Sequence, residues 1–308
     1  MNNKITIGSR GSKLSLAYVN KVKDLICNQQ ILNSEEIAIE TIKTSGDLFG
    51  NKKISEIGGK NLFCKEIEDK LIKKEIDIAV HSLKDMDSIE TNGLIIQAYI
   101  ERNDPRESFV SKKFEKLSDL NNGKIGSSSR RRELQLKLMN KNLKIKTIRG
   151  NVDTRISKIE NGEYDGAILA LAGLKTLNLE NYAKQVFSVE DFIPTAGQGI
   201  IAAQCRDNDE RIKNILKKIN HYETEICALA ERNFLKTIGG DCDTAVGCTA
   251  NLNKDKIDLK AQLFSDDGKK VFNVIKSGKS NEPELLGKLA GEEILKKSAK
   301  SFTKKRRI

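Results

Sequence analysis

The stretch Asp77-Ile78-Ala79-Val80-His81-Ser82-Leu83-Lys84-Asp85 decides the fold. It reads as a short buried strand that ends in a lysine and a carboxylate. Ahead of it, Asn61–Lys74 places Leu62, Ile67, Leu71 and Ile72 at the spacing of one helical face, and beyond it Leu94–Ile100 is again strand-like. Towards the N-terminus, Lys4–Ser9 reads as a strand and Ile37–Lys43 as another. Between them Ser12 is placed to N-cap an amphipathic helix through Asn28. This βαβα order predicts an α/β fold, a mainly parallel sheet covered by helices.

The pattern then restarts. Lys124–Ser127 reads as a strand, Arg130–Met139 as a helix, Lys144–Ile148 as a strand, Val152–Glu160 as a helix and Asp165–Leu171 as a strand. The connection Glu101–Arg106 carries charge, Asn and Pro, and a second crossing falls near Ile193–Gly199. After Asn220 the character changes to a helix over Tyr222–Leu235 and the turn Gly239-Gly240-Asp241-Cys242. Strand-like runs follow at Val246–Asn251, Lys256–Phe264 and Lys270–Lys276, then a helix at Pro283–Ala299. Asp266-Asp267-Gly268 is a hairpin signal, so this region predicts a smaller α+β domain with an antiparallel sheet.

Composition narrows the function. Charged residues are 31% and hydrophobic residues 38% of the 308, as in a soluble globular protein of more than one domain. No apolar run approaches the ~20 residues that cross a bilayer, and no signal-peptide core follows Met1–Ile5, so a cytoplasmic protein without a membrane partner is expected. The six cysteines form no CxxC pair and the two histidines no metal motif, so no metal site is expected. The net charge of +11 suits nucleic acid, an anionic surface or a small anion. With aromatics at 5% the nucleic-acid reading is weak, and the small-anion reading requires arginines in discrete motifs.

Such motifs are present. Lys84 and Asp85 lie at a strand end, where ligands of open α/β sheets sit, although an ordinary polar loop has the same pattern. Gly126-Ser127-Ser128-Ser129-Arg130-Arg131-Arg132 passes from strand to helix start, with hydroxyls and free N–H groups for an anion; Arg130 is the one expected to be merely solvated. Arg149, in Ile148-Arg149-Gly150, and Arg155, on the next helix, point at one edge. Ser9-Arg10-Gly11-Ser12 repeats the strand-to-helix arrangement. No Walker A or GxGxxG segment is present, so nucleotides are disfavoured. Cys242 lies between two aspartates, a setting that disfavours a thiolate, and by itself it reads as a turn cysteine of no consequence.

In that order these pieces resemble the porphobilinogen deaminase family: SRGSKLSLAY, TSGD, GGKNLF, DIAVHSLKDM, ERNDPRESFVS, GSSSRRRELQL, IRGNVDTRISKIENGEYDGAILALAGL, IPTAGQGIIAAQCR and the GGDC segment. The resemblance covers about residues 4–250. It implies two periplasmic-binding-protein-like α/β domains, 1–100 with 198–219 and 104–194, and a third domain, 222–308, that carries the cysteine. It also implies a transferase that condenses four porphobilinogen molecules on a covalent dipyrromethane cofactor and releases ammonia, then hydroxymethylbilane by hydrolysis. Cys242 would be the thioether anchor and Asp85 the catalytic carboxylate. Lys84, Ser128, Ser129, Arg131, Arg132 and Arg155 would hold the cofactor, and Arg10, Ser12, Phe63, Arg149 and Arg155 the substrate. Lys60 would belong to a lid.

The partners implied are porphobilinogen and the next pathway enzyme, which receives product from a monomer, with no nucleic acid and no membrane. Three departures stand out. Thr176 replaces a carboxylate-binding arginine, with Lys175 beside it. Met86-Asp87 replaces Val-Pro, and Asp243-Thr244-Ala245 replaces a Gln-Val-Pro-like run. The alternative is a non-enzymatic periplasmic-binding-protein-like receptor for an anionic small molecule, which leaves the cysteine-bearing region unexplained.

Overall fold

Apolar residues on alternate sides of short strands require cover on both faces, and the helices between the strands provide it. The computed structural model describes residues 4–48, 63–240 and 244–298. The chain divides into two compact units, Met1–Asn103 with Ile200–Ala228 and Asp104–Gly199 with Leu229–Ile308.

In the first unit, β1 (Ile5–Arg10), β2 (Ile37–Ile42), β3 (Ile78–Ser82), β4 (Leu94–Ile100) and β10 (Ile201–Arg206) form one sheet in the order β2-β1-β3-β10-β4. β1 runs parallel to β2 and β3, whereas β10 is antiparallel to both of its neighbours. Helix α1 (Lys13–Asn28), N-capped by Ser12, buries Tyr18, Val19, Val22 and Ile26 in a core with Ile5, Ile7, Ile78 and Val80. Each such aliphatic side chain contributes ~1.5–3 kcal/mol on burial. Helix α7 (Glu210–Lys217) adds Ile212, Ile215 and Leu216 to the same core. The alternate residue Ala79 joins Ile42 and Ile76 in a second cluster, with Ile67 and Leu71 of helix α3 (Lys65–Ile72).

The second unit repeats the plan. β5 (Glu107–Val110), β6 (Lys124–Gly126), β7 (Lys144–Lys146), β8 (Gly166–Ala170) and β9 (Ala183–Val186) pair in the order β7-β6-β8-β5-β9. Here β5 is the antiparallel strand. Helices α4 (Arg130–Met139), α5 (Val152–Glu160) and α6 (Leu171–Thr176) follow β6, β7 and β8. The same unit holds a three-stranded antiparallel sheet of β11 (Val246–Asn253), β12 (Lys256–Phe264) and β13 (Val271–Lys279), with helix α9 (Pro283–Ser298). Helix α8 (Tyr222–Ile238) precedes it in the chain.

The α/β class with a small antiparallel C-terminal sheet is therefore what the chain adopts. Two short strands, β5 and β9, are additions to the sequence reading: four residues each carry too little periodicity to stand out. Each five-stranded sheet is mixed because one strand enters it against the direction of the other four.

Candidate active site

In the first unit, β1 delivers Arg10 at its carboxyl end. The guanidinium meets Asp47, with Nη2–Oδ1 at 2.5 Å and Nε–Oδ1 at 3.2 Å. Its carbon lies 4.3 Å from the centre of the Phe63 ring. That ring lies against Gly46, where any Cβ would fall 2.2 Å from Phe63 Cε1, so the contact requires glycine. Burial pushes the Asp47 carboxyl up, but hydrogen bonds from Arg10 and Thr44 outweigh it and hold the group below its ordinary range. Ser12 accepts from the Ser15 N–H at 3.2 Å, so its hydroxyl serves the helix start.

β3 runs directly into the single turn Leu83–Asp85. The Leu83 N–H donates to the Ile200 carbonyl at 3.0 Å, and the Cys64 thiol to the Asp85 carbonyl at 3.6 Å. Lys84 and Asp85 are half-buried at this exit. Burial and then the Asp85 carboxylate push the phenol of buried Tyr18 up. The same two causes push the Cys64 thiol well above its ordinary value, which leaves it unfit as a nucleophile. Burial drives His81 down to about 4, so the imidazole is neutral, and among the described residues its Nε2 has no hydrogen-bond partner. Behind it the buried Glu68 accepts from Gln204 Nε2 at 3.1 Å and Thr91 Oγ1 at 2.7 Å.

In the second unit, Ser129 N-caps α4 and Ser128 donates to the Ile148 carbonyl at 2.5 Å. Arg131 and Arg132 are both buried on Glu107, whose side chain has no exposure. Arg131 Nη2 lies 2.6 Å from Oε1; Arg132 Nε and Nη2 lie 3.0 and 2.7 Å from Oε1 and Oε2. The bidentate clamp expected for an incoming carboxylate is thus already closed on an internal one. Burial pushes the Glu107 carboxyl up, yet Arg132 and Arg131 outweigh it and hold it at about 2. Two guanidiniums share one carboxylate here, which leaves one excess positive charge in a buried place. That excess fits a group bearing carboxylates, as the implied dipyrromethane does. Arg130 is exposed and pairs with Glu133 at 2.9 Å.

Arg149 follows β7 half-buried, and Arg155 Nε donates back to the Gly150 carbonyl at 2.8 Å, which returns it to the strand exit. Lys175 is held by Asp104 at 3.1 Å, beside Arg106 at 2.7 Å. Thr176 Oγ1 donates to the Ala172 carbonyl at 2.8 Å, so it is occupied within its own helix. Sequence reasoning missed Glu107, Asp47 and Glu231. Buried Glu231 accepts from the N–H groups of Gly197 at 2.6 Å and Ala250 at 2.7 Å, tying the IPTAGQG segment to β11. Lys60 and Cys242 lie outside the described residues. Cys64, Cys205, Cys227 and Cys248 are buried and Cys27 is partly exposed. Burial first, then Asp209, pushes Cys205 up to about 12. Among the described residues no cluster of His, Cys, Asp or Glu could hold a metal, and no helix is long and apolar enough to cross a membrane.

Residues 5–214 match the family model described as "Porphobilinogen deaminase, dipyromethane cofactor binding domain", and residues 225–296 match "Porphobilinogen deaminase, C-terminal domain". A porphobilinogen deaminase of Nitrobacter hamburgensis is 38% identical over 298 residues, covering 96% of this chain and 94% of that protein. One of Francisella philomiragia is 41% identical over 303 residues, covering 98% and 99%. Among solved structures, the methionine binding protein MetQ aligns with a TM-score of 0.45 at 14% identity, over 71% of this chain and 91% of that one. Both family models fall on the segments described above, and the chain belongs to the porphobilinogen deaminase family.

Proposed function

We propose that this transferase condenses four porphobilinogen molecules head to tail and releases hydroxymethylbilane, with Asp85 as its catalytic carboxylate. The observation that carries the site reading is placement: Arg10 and Asp85 both leave the carboxyl ends of parallel strands in one sheet. Porphobilinogen becomes an electron-poor cation when its aminomethyl C–N bond breaks and ammonia leaves. Asp85 accepts the pyrrole N–H and stabilises that developing charge in a half-buried setting, where a fixed carboxylate is more effective than water. Arg10, Arg149 and Arg155 hold the substrate's acetate and propionate, Ser12 adds a hydroxyl, Phe63 covers the ring, and Lys60 belongs to a closing segment.

When bound, dipyrromethane supplies the pyrrole α-carbon that is extended and the carboxylates by which it is gripped. Cys242 anchors it by a thioether. Lys84, Ser128, Ser129, Arg131, Arg132 and Arg155 would receive its carboxylates, Ser128 by exchanging its bond to the Ile148 carbonyl, and the excess charge around Glu107 supports the arginine pair in that role. The reading extends to three domains, 1–100 with 198–219, 104–194 and 222–308, and to a cytoplasmic monomer that passes its product to the next enzyme of the pathway. A receptor for an anionic small molecule leaves the family match over 225–296 without a role.

Intact mass of the purified protein tests the anchor. An adduct of two pyrrole units is expected, absent from Cys242→Ser. An unmodified mass in active protein would overturn the assignment.

A further inference from the structure

A guanidinium presents two edges, each with a parallel pair of N–H groups, and Arg10 uses only one of them. Asp47 occupies the Nε/Nη2 edge, and Phe63 covers a face at 4.3 Å. Among the described residues nothing is hydrogen-bonded to Nη1, and the side chain remains 20% exposed.

Asp47 is itself fixed before it meets the arginine. Its Oδ2 accepts from the Thr44 hydroxyl at 2.8 Å and the Thr44 N–H at 3.2 Å, while its own N–H donates to the Thr44 carbonyl at 2.9 Å. The adjoining Ser45 N–H donates to Glu66 Oε1 at 2.8 Å, and the Ser45 hydroxyl reaches the same oxygen. Glu66 lies on α3, whose chain begins just after Phe63, so one frame carries both the carboxylate and the ring that confine Arg10. Gly46, flush against that ring, completes the frame.

We propose that Asp47 is a positioning residue. Together with Phe63 it turns Arg10 so that the Nη1/Nη2 edge receives one carboxylate of porphobilinogen. The arginine's rotamers are then ordered in the folded protein and not at the moment of binding, which strengthens substrate capture. The negative charge of Asp47 attenuates Arg10's pull on a second carboxylate, so the benefit is one of orientation, and it shows in KM. The inference rests on the assignment of Arg10 to the substrate.

A double-mutant cycle on the cofactor-loaded enzyme tests it, with porphobilinogen as the varied substrate. Asp47→Asn keeps hydrogen-bonding capacity towards Thr44, so the turn folds, and it removes the charged clamp. KM is expected to rise about 10-fold with kcat within about 2-fold, and Asp47→Glu to recover part of the loss. In an Arg10→Ala background the Asp47→Asn change should do nothing further. Multiplying effects in the double variant, or a lower KM in Asp47→Asn, would overturn the positioning role while leaving Arg10 in place. An unchanged KM in Arg10→Ala alone would instead remove Arg10 from the substrate site, and the inference with it.

Discussion

The two five-stranded sheets share one strand order, β2-β1-β3-β10-β4 against β7-β6-β8-β5-β9, with the antiparallel strand fourth in each. They treat their arginines in opposite ways. In the first unit Arg10 sits at a strand exit, partly exposed, with a carboxylate on one edge. In the second, Arg131 and Arg132 are buried on the fully enclosed Glu107. An exposed pair is weak and exchangeable, whereas a buried one is costly to break. On the proposed function, the first arrangement suits a substrate that must enter and move on, and the second a group that stays. The same plan of strands thus carries a partly exposed ion pair in one unit and a fully buried one in the other.

The contrast breaks most sharply at Asp85. If the first unit does the chemistry, Asp85→Asn should lower turnover by ~10²–10³-fold, since an amide cannot stabilise the developing cation. The melting temperature and the covalent adduct should both remain, because Asp85 is half-buried at a strand exit and not part of a core cluster. Bilane formation close to wild type, followed by absorbance, would place the chemistry elsewhere.

The second effect belongs to Glu107. Glu107→Gln leaves two buried guanidiniums without a carboxylate and should destabilise the protein by ~3–5 kcal/mol, read by denaturant melts. Its pH signature has a definite sign. The folded carboxyl titrates at about 2 against an ordinary 4.5, so its stabilisation is complete above 4.5 and disappears as pH falls towards 2. Wild type should lose stability steeply across that interval, and Glu107→Gln should lose less. Parallel acid profiles would show that Glu107 is not the group responsible.

How much of this was legible in the sequence follows from range. DIAVH announces β3 because its apolar run is local, and Ser12 announces α1 because an N-cap acts over one turn. The strand-exit positions of Arg10, Asp85 and Arg149 follow from the same local patterns. The burial of Arg131 and Arg132 does not, because their partner Glu107 lies 24 and 25 residues earlier. It opens the four-residue strand β5, which carries no periodicity of its own, and only the sheet order β6-β8-β5 brings it beneath α4. Arg10 was visible, but Asp47, 37 residues on, had no local mark as its partner. Cys242 is the extreme case: local chemistry argues against it, and only the ordered set of segments promotes it.

The smallest effect compares two arginines that share a local pattern. Arg10-Gly11-Ser12 and Arg149-Gly150-Asn151 each run from a strand through glycine to a helix N-cap. Gly11 is not in the left-handed region, and among the described residues an added Cβ would meet only Thr41 Cβ at 3.8 Å, an ordinary contact. Gly150 has φ +110°, and its Cβ would fall 2.6 Å from Thr154 Cγ2 on the following helix. Gly150→Ala should therefore cost about 1–3 kcal/mol in backbone strain, against roughly 0.5 kcal/mol or less for Gly11→Ala. Because the Gly150 carbonyl also receives Arg155 Nε, the strained variant should raise KM for porphobilinogen as well as lower stability. Equal melting temperatures for the two alanine variants would mean that the second unit relaxes around Gly150. The contrast between the two units would then rest on the buried Glu107 pair alone.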